Sequence, residues 1–533
     1  MTQRDFWLNG ARGRDWLLLA IVHAVVAWYY VSNRAPGTDA ARVDFPLDDS
    51  WIHLVYARSL VEEGVPAYNP GVAEAGFTSP LWILVCAAAH LLARVSSLDV
   101  VLAVKVLGAA LAWLATLGLY ELLRAWTRAA LLPLFGGLLC AASPTLSFSQ
   151  VAGMEVNLAA GCALWMLLAL HHQRFLAAGV LLAAAYWSRP ETLLLAPLVG
   201  IGQLIAWRFR FDRARLLATA QVALPLAIAG GLWAAYCYSI NGHALPNTFY
   251  VKTRNEYPLT DAWTVVREIP WRLTANFYGS ALVLYMIGAA ALLRRPSVAR
   301  VVIVLFPWVF LAAIGATRSM LPTFSNHYVL QRYALPAAPL LLVVITVGLD
   351  ALCALGRRRA SADAATPLST AALLGRIAAL ALGALALVRY PPELKRNADL
   401  FAWNCQNIRE MQTALGKWVA RYTASDATIL LNDAGAIRYF GERNIIDLVG
   451  LNTHELALDR EFRHAISLSA TRMADYMKQL DARYLIIFPS WFVALTTDPE
   501  FRQRFRVIHG ARCEHYTIMP GEQDIMLVYE LTK

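Results

Sequence analysis

The sequence predicts a polytopic α-helical membrane protein of about eleven transmembrane helices with a C-terminal extracytoplasmic α/β domain. Three observations lead there. Of the 533 residues, 58% are hydrophobic, and the mean hydropathy is +0.46. That is too apolar for a soluble protein of this length. The apolar residues gather in runs that approach the roughly 17–25 residues needed to cross a bilayer. After Tyr390 the composition changes, and mixed charges accompany short alternating strand and helix patterns.

The runs follow in order. Arg4, Arg12 and Arg14 precede Trp16–Val31, which ends in Trp28-Tyr29-Tyr30 with no small-x-small cleavage site after it. It therefore reads as a retained first span rather than a signal peptide. The further spans are Val101–Tyr120, Leu131–Gln150, Val156–His171, Phe175–Ser188, Thr192–Trp207, Leu216–Ile240, Ala275–Leu293, Val301–Thr317, Tyr333–Leu349 and Ala371–Val388. A further run, Leu81–Ala93, is ambiguous, and charge decides it. If it does not span, the loops Arg124–Arg128, His171–Arg174, Arg208–Arg215, Arg294–Arg300 and Arg357–Arg359 all share the side of the N-terminus. All but His171–Arg174 are rich in Arg, so the positive-inside rule holds. If it does span, the rule fails repeatedly. Leu81–Ala93 is thus expected to lie in the outer interface.

The N-terminus is then cytoplasmic and the C-terminal domain extracytoplasmic. The expected division is a transmembrane domain over 1–389, with interfacial helices within 34–95, and a soluble domain over 390–533. In that domain Cys405–Tyr422 reads as an amphipathic helix. Ala427–Leu431, Asn444–Val449, Tyr484–Phe488 and Ile525–Leu531 read as strands. Cys405 and Cys513 both fall there, in a compartment that permits disulfides. They are expected either to pair or to be two independent buried thiols.

The formal net charge is +10, but the cations sit in short loops between apolar runs. That is a topology signal rather than a nucleic-acid groove, so no nucleic-acid partner is expected. No Walker motif, Rossmann glycine pattern or HExxH occurs, and the seven Cys are scattered without zinc-type spacing. The unusual polar segments all fall on the outer side: Asn33–Pro80, Gln150–Asn157, Ser188–Glu191, Asn241–Asn276, Arg318–Arg332 and the chain after Tyr390. A site is expected at the outer membrane boundary.

The leading candidates are Asp48 and Asp49, in Phe45-Pro46-Leu47-Asp48-Asp49-Ser50-Trp51-Ile52-His53. Adjacent carboxylates repel and are costly near lipid. Helix capping accounts for one of them and not for both. His53, one turn on, is either a metal ligand or an interfacial His. Tyr56 and Arg58 continue the same helix. Tyr68-Asn69-Pro70-Gly71 is a turn. Glu155 and Glu191 open helices, where an acid complements the dipole. Arg189 either pairs with one of these or binds a lipid-borne phosphate. His243, Asn247, Tyr250, Lys252 and Arg254 share one outer loop, and His327 and Arg332 another. Cations on the disfavoured side of a membrane point to a phosphate.

These motifs, in this order, resemble the GT-C glycosyltransferases. The resemblance is nearest to the AftB-like arabinofuranosyltransferases and their bacterial relatives. It rests on Asp48-Asp49-Ser50-Trp51-Ile52 with Tyr56-Ala57-Arg58, Tyr68-Asn69-Pro70-Gly71, Gly76-Phe77-Thr78-Ser79-Pro80-Leu81-Trp82, Gly153-Met154-Glu155, Arg189-Pro190-Glu191 and Leu245-Pro246-Asn247-Thr248-Phe249-Tyr250-Val251-Lys252. Asn432-Asp433-Ala434-Gly435-Ala436-Ile437 and Ile446-Asp447-Leu448-Val449-Gly450-Leu451 complete it. One departure is Ala75 where relatives often carry an acid, with Glu74 one place early.

The resemblance implies transfer of a pentofuranose, D-arabinofuranose, from a polyprenyl-phosphate donor to an envelope glycan or protein acceptor, in a bacterial inner membrane. Mannose and aminoarabinose remain alternative sugars, and a non-enzymatic lipid transporter an alternative class. It implies Asp48 as the base and Asp49 as the group that orients the acceptor or holds a divalent cation. Arg58, Arg189, Lys252, Arg254 and Arg332 are the candidates for the donor phosphate. His53, Tyr56, Glu155, Glu191, His243, Asn247, Tyr250 and His327 are the candidates for substrate contact.

Overall fold

The computed structural model describes residues 3–36, 43–210, 212–252, 281–317, 328–355, 370–458, 468–519 and 524–532. The chain divides into two compact units. One comprises Met1–Tyr30, Gly108–Ala229 and Tyr257–Ala398; the other comprises Val31–Leu107, Gly230–Glu256 and Asp399–Lys533.

The first unit is helical. Among the described residues of the whole chain, six helices are long and apolar enough to cross a membrane, or seven if one bent pair is a single span. That pair is Leu132–Ala141 and Pro144–Val151, bent by 59°. Pro144 starts the second piece, where its missing N–H costs nothing, and Ser143 before it is extended. Other expected spans appear as shorter apolar helices: Val156–His171, Phe175–Ser188, Pro190–Ala206 and Leu282–Leu293. Helices Leu282–Leu293 and Ala338–Leu355 cross at glycine. A Cβ on Gly288 would lie 2.0 Å from the Val344 carbonyl oxygen, and one on Gly348 would lie 1.9 Å from that of Leu284. Small residues at such a crossing let two backbones meet inside an apolar bundle. His23 is buried in the same unit, with Nδ1 2.8 Å from Gln150 Oε1 and Nε2 2.9 Å from Thr116 Oγ1.

The second unit holds two sheets. A small antiparallel hairpin pairs β1 (Ala67–Asn69) with β2 (Val72–Ala73), turning at Gly71 with φ +70°. Positive φ is why the turn ends in Gly. The larger sheet contains β3 (Thr428–Leu431), β4 (Asn444–Asp447), β5 (Ala482–Ile487), β6 (Phe505–Arg512) and β7 (Ile525–Leu531), in the order β4-β3-β5-β7-β6. β4, β3 and β5 are parallel, while β7 is antiparallel to β5 and to β6. One face packs on helix Ala470–Gln479, through Leu430, Leu485, Ile487, Met473 and Met477. β6 escapes the sequence reading because Arg506, His509, Gly510 and Arg512 break its apolar alternation. It is the exposed edge strand, where such residues discourage pairing with another chain.

The last apolar run and the amphipathic helix, expected as separate, are joined. Thr370–Ile408 continues through Pro391 and Pro392, passes a π-helical turn at Arg409–Thr413 and resumes as Ala414–Tyr422. Of the two alternatives for Cys405 and Cys513, the structure has the independent thiols: both are free and buried. Their sulfurs face different carbonyls, Asp44 for Cys405 and Asn407 for Cys513.

Candidate active site

Leu47 is extended, and helix Asp48–Glu63 follows it with no side chain capping its N-terminus. Capping therefore does not explain Asp48. Its carboxyl group turns instead to the loop after β3, where it accepts from Gly435 N–H at 2.6 Å and Ala436 N–H at 2.7 Å. Burial pushes Asp48 well above the usual carboxylate range, and nearby Asp433 adds to this; the two N–H donors oppose it. Gly435 is required by the close approach. A Cβ there would lie 2.0 Å from the Asp48 carbonyl oxygen and 2.7 Å from its carboxyl carbon.

Asp433 stands beside it. Gln412 Nε2 donates to its Oδ2, and the charge of Asp433 acts on the Asp48 carboxyl. Burial lifts Asp433 to about 6. Asp49 is half-buried and raises the pKa of both Asp48 and Asp433 through its charge. The rest of the first turn is packing: Trp51 lies against Phe45, Tyr439 and Phe440. His53 is buried.

Hydrogen bonds tie the hairpin to the same region. Tyr68 O–H donates to the Ala434 carbonyl at 2.6 Å, and Arg438 Nε donates to the Tyr68 carbonyl at 2.8 Å. Asn69 imitates a strand partner: its amide donates to the Ile445 carbonyl and accepts from the Ile445 N–H, each at 2.9 Å. Tyr56 O–H donates to Asn452, and Asn452 in turn donates to Asp447. Asp447 closes the turn after β4 by accepting from Val449 and Asn452 N–H, while burial lifts its pKa to about 6.

A second buried carboxylate went unnoticed as a site residue in the sequence. Glu74 accepts from Asn247 Nδ2 at 2.8 Å and lies 3.1 Å from His454 Nδ1. That bond raises the His454 pKa despite partial burial. Asn247 is fully buried, and its other amide atom accepts from Asn241. Asn247 and Tyr56, both expected at the substrate, are fully buried: Asn247 braces Glu74 and Asn241, and Tyr56 is bonded to Asn452.

The phosphate candidates separate. Arg58 stacks on Tyr439, donates to the Tyr439 carbonyl at 3.2 Å and lies 3.4 Å from the Glu442 carboxylate. The helical unit gathers its own cluster. Arg189 is buried, 2.9 Å from Glu155 and 3.5 Å from Glu191. Arg189 and Arg332 both lie over the Tyr333 ring, at 5.7 and 5.1 Å. Arg189 Nε and Glu155 Oε2 are buried with no hydrogen-bond partner among the described residues. Lys252 ends helix Asn247–Lys252, and His243 is exposed with its ring 5.5 Å from that of Tyr250. The Lys252 side chain, Arg254 and His327 lie outside the described residues.

Among the described residues no three His, Cys, Asp or Glu side chains are arranged to hold a metal ion. Both Asp48 oxygens already accept from backbone N–H groups. Among the described residues the donor set that a divalent cation at Asp49 would need is not assembled.

A family model described as a domain of unknown function (DUF8728) matches residues 406–529. No characterised protein matches the chain significantly by sequence. Solved structures do match. The oligosaccharyltransferase AglB from Archaeoglobus fulgidus, in complex with an inhibitory peptide and a dolichol-phosphate, is 12% identical with a TM-score of 0.58, over 89% of this chain and 69% of that one. ArnT from Cupriavidus metallidurans, bound to undecaprenyl phosphate, is 13% identical with a TM-score of 0.56, over 96% of this chain and 97% of that one. At such identity the likeness speaks for architecture: the chain has the GT-C fold, a polytopic helical membrane protein with a C-terminal α/β region.

Proposed function

We propose that the chain is a polyprenyl-phosphate-dependent membrane glycosyltransferase. In this reading it moves a pentofuranose, D-arabinofuranose, to an envelope glycan or protein on the outer face of a bacterial inner membrane. The observation that carries the reading is the near full-length likeness to ArnT, which was solved with undecaprenyl phosphate bound. Fold alone does not assign chemistry, so the residues must supply the rest. Asp48, Asp49 and Asp433 form a carboxyl cluster in which Asp48 and Asp433 have a raised affinity for protons. Arg189 and Arg332 lie over one Tyr333 ring, with Glu155 and Glu191 beside Arg189, and their guanidinium groups suit a phosphate.

The acceptor hydroxyl oxygen bonds to the anomeric carbon while the bond from that carbon to the phosphate oxygen breaks. The bonding pair leaves with the polyprenyl phosphate. The hydroxyl proton passes to the carboxyl cluster, and the ionised carboxylates stabilise an oxocarbenium-like transition state.

The likeness to ArnT favours one second reading, an aminoarabinose donor. A panel of polyprenyl-phosphoryl arabinofuranose, aminoarabinose and mannose, given to purified protein with and without chelator, decides between them. Arabinofuranose transfer supports the finer reading, and transfer of another sugar alone replaces it. Failure with every donor overturns the enzyme assignment.

A further inference from the structure

The carboxyl end of β3 carries more than Asp48 explains. β3 runs between β4 and β5, and the connections from β3 to β4 and from β4 to β5 return on its two sides. This is the switch point at which parallel sheets present ligand sites, just beyond the carboxyl ends of the strands. Asn432 and Asp433 occupy that position. Asn432 Oδ1 accepts from Phe488 N–H at the end of β5, at 3.1 Å. Asn432 Nδ2 and Gln412 Oε1 are buried and have no hydrogen-bond partner among the described residues. A buried amide with one half unmet is destabilising, so a polar ligand belongs there. Asp433 is only half-buried, follows Asn432 in the chain and accepts from Gln412 Nε2.

The Asp48–Asp433 contact adds chemistry. Two buried carboxyls acting on each other repel when both are ionised, so the pair favours holding a proton. Asp48 is the deeper of the two and is pushed well above the usual carboxylate range, which makes it the holder of that proton, while Asp433 is lifted to about 6. The other groups acting on the pair are Asp49, Gln412, Tyr68 and Tyr516.

We propose that Asp433 is the catalytic carboxylate that contacts the acceptor sugar, with Asn432 and Gln412 binding sugar hydroxyl groups and Asp48 serving as a proton-holding positioning residue. This rests on the transferase reading above. The acceptor hydroxyl donates to Asp433. As its oxygen bonds to the anomeric carbon and the phosphate leaves with its electron pair, the proton moves to Asp433 and is later lost to water. This assigns the base role, which the sequence gives to Asp48, to the C-terminal domain.

The test is the pH dependence of kcat/KM for the purified full-length enzyme, using whichever polyprenyl-phosphoryl sugar the panel shows to be turned over. For the wild type, kcat/KM should rise with pH through about 6. Asp433→Asn should lose at least ~100-fold in kcat and lose that acid limb, since general base catalysis contributes about 10²–10⁴-fold. Asp433→Glu should recover part of the activity and retain a limb. Asp48→Asn should keep the limb. A wild-type-like limb in Asp433→Asn, or activity within threefold of wild type, overturns the proposal. If Asp433→Asn fails to fold, Asp433→Glu with no acid limb overturns it equally. Infrared titration should find a carboxyl group protonated at pH 7 that is missing in Asp48→Asn, and its absence from the wild type overturns the shared proton without any turnover. A wild type that consumes no donor instead sinks the transferase reading.

Discussion

Gly435→Ala tests the contact on which the site is built. The added Cβ would lie 2.0 Å from the Asp48 carbonyl oxygen, 2.7 Å from its Cγ and 2.7 Å from its Oδ2. The nearest atom is backbone, so no side-chain rotation relieves the overlap, and the loop must retreat by about 1 Å to reach van der Waals distance. Overpacking of this kind costs about 1–3 kcal/mol. The retreat also pulls Gly435 N–H and Ala436 N–H away from the Asp48 carboxyl, at 2.6 and 2.7 Å. Each such bond is worth about 0.5–3 kcal/mol, depending on the charge of the acceptor. A loss of about 3 kcal/mol is therefore expected, or on the order of 6–12 °C in Tm for a unit of this size. Transfer activity should fall with it. The assay is thermal unfolding in detergent, followed by tryptophan fluorescence. Gly230→Ala is the control, because its Cβ meets nothing within 4 Å inside helix Arg213–Asn241. A Gly435→Ala protein that melts within about 2 °C of wild type would refute the reasoning, since the clash predicts several times that shift.

Other consequences follow from the same geometry. Glu155→Gln removes one partner of a buried ion pair and leaves Arg189 with its charge half met; a cost of about 3–5 kcal/mol is expected in the same melt, less to the extent that Glu191 compensates. His454 has a raised folded-state pKa, so its pairing with Glu74 stabilises fully below its unfolded value of 6.5 and is lost as pH rises through the folded value. Glu74→Gln should flatten that dependence, as seen in Tm measured from pH 5 to 9; an unchanged slope would contradict the pairing. Cys405 and Cys513 should both alkylate after denaturation without reductant, and a mass lacking both adducts would restore the disulfide.

Much of this architecture is legible in the sequence because apolar runs record burial in lipid or core directly. Helices occupy the expected runs, and β3, β4, β5 and β7 fall within two or three residues of the expected strands. The site is legible in part. Asp48 and Asp49 stand out because paired acids near a membrane are costly. What Asp48 bonds lies 387 residues away, at Gly435, and no local pattern carries that. Asp433 sits within a quoted motif but has no neighbouring acid to mark it. Glu74 looks displaced by one position, yet it is the buried centre of a network drawn from three separate segments. Arg189 was readable as an ion pair because Glu155 and Glu191 both open helices at the same expected boundary. The passage through Pro391 and Pro392 was hidden because two prolines normally end a helix.

The most direct test of the account is the consumption of a polyprenyl-phosphoryl sugar by purified protein supplied with envelope acceptor. Equal amounts of free polyprenyl phosphate and newly linked sugar are expected, with both lost in Asp433→Asn. A protein that binds the donor and leaves it intact, with every sugar in the panel and any acceptor fraction, would contradict the claim that this fold houses a glycosyltransferase.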